Sequence, residues 1–170
     1  MHSRIYEIEA DFIKDDEWAK ECEIADDNYH IEGVDYFGEI TDANERCEDI
    51  KNFFTNWFPG NSFKIVSNVP GQTAVVRFVG DITALYQKWM DEIKAAANKL
   101  TIEEMTRMAV FEVSQSCREP FGLSSKFYLR NWCGCTASAD DFLSYLHYLS
   151  EQNKGKHFKL YIGQVFDYHF

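Results

Sequence analysis

Three prolines and nine glycines in 170 residues are few, and no stretch is dominated by Ser, Gln or a repeated unit, which excludes a low-complexity or loop-dominated chain. No apolar run approaches the length of a membrane span. Met1-His2-Ser3-Arg4 leads directly into alternating Ile5-Tyr6-Glu7-Ile8-Glu9, so no export signal is expected and a cytoplasmic location follows as the expectation. The five cysteines (Cys22, Cys47, Cys117, Cys133, Cys135) are odd in number and lack framework spacing, which predicts reduced thiols and no structural disulfide. The Gly-x-Ser-x-Gly elbow, the phosphate-binding glycine loop and the dinucleotide fingerprint are all missing, so hydrolase, nucleotide and redox classes lack a positive signal.

Positive charge is scarce at one end. Residues 1–50 carry 17 Asp and Glu against 4 Lys and Arg, whereas residues 51–170 carry 11 against 13, so the net charge of −11 is concentrated in the first third. Aromatics are plentiful instead, with fourteen Phe, nine Tyr and four Trp, and at this length a core large enough for one stable domain spanning 1–170 is expected.

The most coherent local signal runs from Thr73 to Leu100. Ala74-Val75-Val76-Arg77-Phe78-Val79 reads as a strand, and Gly80 gives the turn. Asp81 caps a helix in which Ile82, Leu85, Tyr86, Trp89, Ile93, Ala96 and Leu100 share one side. That segment is long enough to cross a small domain, and the remaining elements are expected to pack around it. Phe63 to Val66 precedes it across Asn68-Val69-Pro70-Gly71, which predicts a hairpin.

Elsewhere Tyr6, Ile8, Ala10 and Phe12 alternate with Glu7, Glu9 and Asp11, predicting a first strand with one buried and one acidic face. A short helix capped at Asp15 or Asp16, a loop over 25–33 and a second strand over 34–40 with a bulge at Gly38 follow. Asp42 with Glu45 opens a helix carrying Ala43, Cys47, Ile50, Phe54 and Trp57, stopped by Pro59-Gly60. Thr101-Ile102-Glu103-Glu104 is a capping box, while 109–116 reads equally as helix or strand. Residues 126–132 are strand-like, Ser138 with Asp141 opens a helix bearing Phe142, Tyr145, Leu146 and Leu149, and Phe158, Leu160 and Ile162 form a last strand. Strands and helices without strict alternation predict an α+β fold: a single domain, a mostly antiparallel sheet, and three to four helices packed on one face.

Two chemistries compete for the function. Cys133-Gly134-Cys135 precedes a helix N-terminus, which can lower a thiol pKa, so a small thiol- or metal-dependent enzyme using Cys133 or Cys135 with His30 or His147 is one reading. A single Cys-x-Cys supplies only two of the four ligands of a structural zinc site, and two small residues in a turn explain the pair equally. Asp26, Asp27, Asn28, His30 and Glu32 cluster in seven residues, yet lack the EF-hand pattern and suit a solvated acidic loop. No metal or cofactor is therefore assigned.

The acidic first third motivates the other reading. Glu7, Glu9, Asp11, Asp15, Asp16, Glu17, Glu21 and Glu23 form the expected partner-binding surface of a non-enzymatic protein that engages and inhibits a basic, nucleic-acid-binding partner protein. Solubility alone also explains acidity of this kind. Lys94, Lys99, Arg107, Arg118, Lys126 and Arg130 are too dispersed for a basic stripe, so neither direct nucleic-acid binding nor membrane binding is expected. Tyr161, Phe166, Tyr168 and Phe170 exceed what one face of a terminal strand buries, which makes a homodimer through the C-terminal strand conceivable. In size, aromatic richness and acidic first third the chain resembles the small inhibitor proteins carried by phages and mobile elements, such as antirestriction and anti-CRISPR proteins. That likeness is compositional and assigns no residue.

Overall fold

The computed structural model describes residues 2–28, 36–101 and 107–169. Seven strands form one sheet: β1 (His2–Glu9), β2 (Tyr36–Glu39), β3 (Phe63–Ser67), β4 (Ala74–Phe78), β5 (Lys126–Tyr128), β6 (Thr136–Ala137) and β7 (Phe158–His169). The spatial order is β3-β4-β7-β1-β5-β6, with β2 also on β7, and β1–β5 is the one parallel pair among six. Helices α1 (Glu21–Asn28), α2 (Ala43–Asn52), α3 (Ile82–Asn98), α4 (Arg107–Arg118) and α5 (Ala139–Gln152) complete the α+β domain. Among the described residues no helix is long and apolar enough to cross a membrane.

The organising element is β7, not the β4–α3 segment. Twelve residues at ~3.4 Å each reach about 40 Å, enough to pair with β1 along one edge and with two strands in succession along the other. On that second edge β4 takes 158–162 and β2 takes 166–169. Between them Val165 O accepts from Ile40 N (3.0 Å), and the side chain of Arg46 fills the gap. Its guanidinium donates to Ile162 O (2.8 Å), Gly163 O (2.8 Å) and Gln72 O (3.1 Å), and lies 4.1 Å above the ring of Trp18. One buried side chain thus supplies the donors that an adjacent strand would have given.

One face of the sheet carries the main core. Asp42 caps α2 as expected, accepting from Asn44 N and Glu45 N. After Asn52 the helix widens into a π-turn over Phe53–Trp57, which shifts the periodicity. Ile50, Phe53 and Phe54 are buried while Trp57 is half exposed, so the expected stripe through Cys47 and Trp57 is displaced. Phe53, Phe54, Phe58, Phe63, Phe127 and Phe142 pack ring on ring, with Phe127 and Phe142 stacked at 4.2 Å. Helix α5 starts at the Ser138/Asp141 capping box and buries Phe142, Leu143, Tyr145, Leu146 and Leu149. Asp81 caps α3, but of that helix only Leu85 is fully buried; Ile82, Tyr86 and Trp89 pack on the core edge and the rest faces α4 and solvent. Residues 109–118 are helical, and the 101–104 capping box runs outside the described residues.

The other face is also covered over part of its length. Ile5, Tyr128, Phe166 and Tyr168 are buried there against Ala19 and Ile24. The helix expected from Asp15 or Asp16 starts at Glu21 instead and continues through the region read as loop up to Asn28, beyond which the described residues stop until 36. Gly38 pairs in register with Asp167 and forms no bulge. Of the aromatic residues expected to exceed what the terminal strand buries, Phe166 and Tyr168 are core residues on an interior strand and Tyr161 is half-buried; Phe170 lies outside the described residues.

Candidate interaction surface

The eight carboxylates expected on the surface divide into two groups. Glu7 and Glu9 are buried, at 0% and 3% exposure, and are removed from any partner interface. Both faces of β1 are covered here, so alternation along the strand does not separate inside from outside. Glu7 Oε2 accepts from Ala19 N (2.9 Å) and Gln164 N (2.8 Å), and its Oε1 lies 3.2 Å from Arg130 Nη2. Glu9 Oε1 accepts from Asn131 N (3.0 Å). Burial pushes both carboxyl pKa values up, opposed by these hydrogen bonds and by Arg130. Gly163 is required beside Glu7, because a Cβ there would sit 2.6 Å from Glu7 Cδ.

Asp11, Asp15, Asp16, Glu17, Glu21 and Glu23 are exposed. They lie on a strap, residues 10–20, and on the first turn of α1. Although irregular, the strap is pinned from beneath. Thr73 donates to Ile13 O (2.7 Å) and accepts from Trp18 Nε1 (2.7 Å), while Thr73 N donates to Asp15 Oδ1 (2.7 Å). Arg130 bridges Glu7 to the strap, donating to Glu17 O (3.3 Å) and lying 3.5 Å from Glu23 Oε2. Glu23 in turn accepts from Lys20 N (2.7 Å) at the start of α1. Phe12 is 63% exposed on the strap and meets Tyr161 edge-on at 5.5 Å.

The cysteine loop is a compact turn. Leu129 O accepts from the amides of Trp132, Cys133 and Gly134, with Gly134 at φ +65°. The exposed Cys133 Sγ is directed at Cys135 O (3.4 Å). Trp132 packs on Tyr145 and Tyr148, whereas His147 packs on Tyr86 of α3 and lies 4.0 Å from Glu151. His147 is thus engaged on the α3 side of α5, away from the aromatic contact that seats the cysteine loop. His30 and the Asp26–Glu32 cluster fall outside the described side chains, and among the described residues no three His, Cys, Asp or Glu converge as a metal site. None of the five cysteines is in a disulfide.

A cleft of about 510 Å³ between Arg4, Asp49, Trp57 and Ser124 holds the arginine of β1. Arg4 is already engaged by Asp49 (2.7 Å), Glu45 (3.3 Å) and Asp167, so three carboxylates offset its positive charge in the cleft.

Sequence reasoning missed the two arginines that organise this region. Arg46 shares helical spacing with Ile50 and Phe53, a stripe that marks it as inward; Arg130 carries no local signal. Comparison with protein-family models, with curated proteins and with solved structures returns no match.

Proposed function

We propose that the protein acts without catalysis, as an acidic binding protein that occupies and inhibits a basic surface on a partner protein, the mode of action of a phage or mobile-element inhibitor. The observation that carries this reading is the pinned strap: six carboxylates against Lys14 and Lys20 over residues 11–23, displayed on a segment anchored by Trp18, Ala19 and Thr73. A preorganised acidic surface binds at lower entropic cost than a solvated tail, and its charges accelerate encounter with a basic groove.

The test changes Asp11→Asn, Asp16→Asn, Glu17→Gln and Glu21→Gln together and leaves Glu7, Glu9, Asp15 and Glu23 in their structural roles. Affinity capture from lysate at about 50 mM and about 300 mM salt then compares the variant with the wild type, since screening shortens from ~13 Å to ~6 Å across that range. The expected result is one basic protein recovered by wild type at low salt and lost in the variant. Equal recovery by both would assign the acidity to solubility.

A further inference from the structure

The sheet assembles a row of cations that no stretch of sequence contains. Lys64 of β3 stands opposite Arg77 of β4, and Arg77 stands opposite Lys159 of β7. All three are exposed, on the face opposite the core residues Phe63, Phe78 and Phe158. Among the described residues none has a carboxylate partner. With strands ~4.8 Å apart the row spans about 10 Å. Like charges directly opposite one another across strands are destabilising, so the arrangement costs stability until an anion neutralises it. Lys154, Lys156 and His157 are exposed on the turn that leads into β7 at the same end of the sheet.

Next to the cations lies an apolar row. Val75 pairs with Tyr161, two residues along β7 from Lys159 and on the same face, and the exposed ring of Phe12 stands edge-on to Tyr161. Cations at fixed short intervals beside aromatic rings on an open sheet face are what a single-stranded nucleic acid needs: phosphates meet the charges, and unstacked bases find π-faces. A duplex would keep its bases hidden from the rings. The chain as a whole is negative and Asp11 and Asp15 of the strap lie next to the apolar row, so the cation row works at contact range, where its own charges are nearest to a bound phosphate.

We propose that the Lys64–Arg77–Lys159 row with Tyr161 and Phe12 is a binding site for single-stranded nucleic acid. The site shares Phe12 with the strap but uses none of its carboxylates, and it does not depend on the strap's role as a partner surface. It departs from the expectation of no direct nucleic-acid contact, which weighed only cations scattered along the chain.

Fluorescence anisotropy with a labelled oligothymidylate tests it, in the full chain, for three variants checked by thermal melting. Lys64→Gln with Arg77→Gln and Lys159→Gln is expected to weaken binding roughly tenfold or more and to flatten the log–log salt slope by about 2, since three phosphate contacts contribute ~0.7 each. The charge-matched control, Lys94→Gln with Lys99→Gln and Arg118→Gln, leaves the slope unchanged. Phe12→Ala with Tyr161→Leu weakens binding at unchanged slope. Absence of binding by wild type, or equal loss in the row and control variants, would overturn the site. Equal affinity for a polyglutamate peptide would reassign it to acidic polypeptides and overturn the nucleic-acid assignment, and full affinity in the aromatic variant would overturn the stacking role.

Discussion

Replacing Arg46 with methionine removes the donors that close the split edge of β7. Two buried carbonyls, Ile162 O and Gly163 O, and the part-buried Gln72 O lose a charged donor, and an unsatisfied buried acceptor costs about 1–3 kcal/mol. Part of this returns. The guanidinium pKa is pushed down to about 10 by burial, so the charge is held at a desolvation cost that methionine does not carry. Methionine also keeps much of the apolar contact with Trp18. Setting a loss of about 5 kcal/mol against a return of ~2 leaves a destabilisation of about 3 kcal/mol. Urea unfolding followed by Trp fluorescence reads this as a midpoint lower by about 1.5 M if the slope is ~2 kcal/mol/M. Arg46→Lys, with charge but no planar fork, should lose most of the same stability, because a single ammonium cannot reach Gln72 on one side and Ile162 on the other. A methionine variant within about 0.5 kcal/mol of wild type would refute the idea that the side chain substitutes for a strand.

Gly163→Ala is expected to cost about 2–4 kcal/mol in the same assay, since the new methyl displaces Glu7 from Ala19 N and Gln164 N. Adding Glu7→Ala to that variant should cost less than the two changes summed; strict additivity would count against the clash. The pH dependence has a definite sign. Glu7 and Glu9 have folded pKa values raised above the unfolded 4.5, so the folded state holds their protons more tightly and they oppose folding above those raised values. As pH falls from 7 through the folded pKa values that cost diminishes, and it is gone below about 4.5. Thermal melts at pH 7, 6 and 5 should therefore show wild type gaining more, or losing less, than Glu7→Gln with Glu9→Gln; parallel curves would refute it.

Local chemistry was legible in the sequence wherever it decided the outcome locally. Asp42, Asp81 and Ser138 with Asp141 each announce a helix start, and Asn68-Val69-Pro70-Gly71 announces the β3–β4 hairpin. Pairing at long range was not. β7 gathers residues from His2, Tyr36 and Ala74, and nothing local to 158–169 says that both its edges are taken. The same blindness governed the charges. Glu7 and Glu9 read as outward because the alternation of β1 is regular, whereas their burial depends on a strap and a loop contributed from elsewhere. Lys64, Arg77 and Lys159 stand far apart in the chain, and only the register of three strands makes them neighbours.

The position of β7 also fixes an order of events on the ribosome. The other described strands of the sheet all precede residues 158–169 in the chain, so the sheet waits for the strand at its centre. Until then β4 has only β3, β1 has only its short contact with β5, and β2 has no strand partner. Contacts this distant close slowly, which leaves nascent β1 as an unpaired edge for much of translation. During that interval Glu7 and Glu9 are solvated charges on an open strand, the feature that keeps such edges from pairing with other chains. The two carboxylates that burden the finished core thus guard the unfinished one.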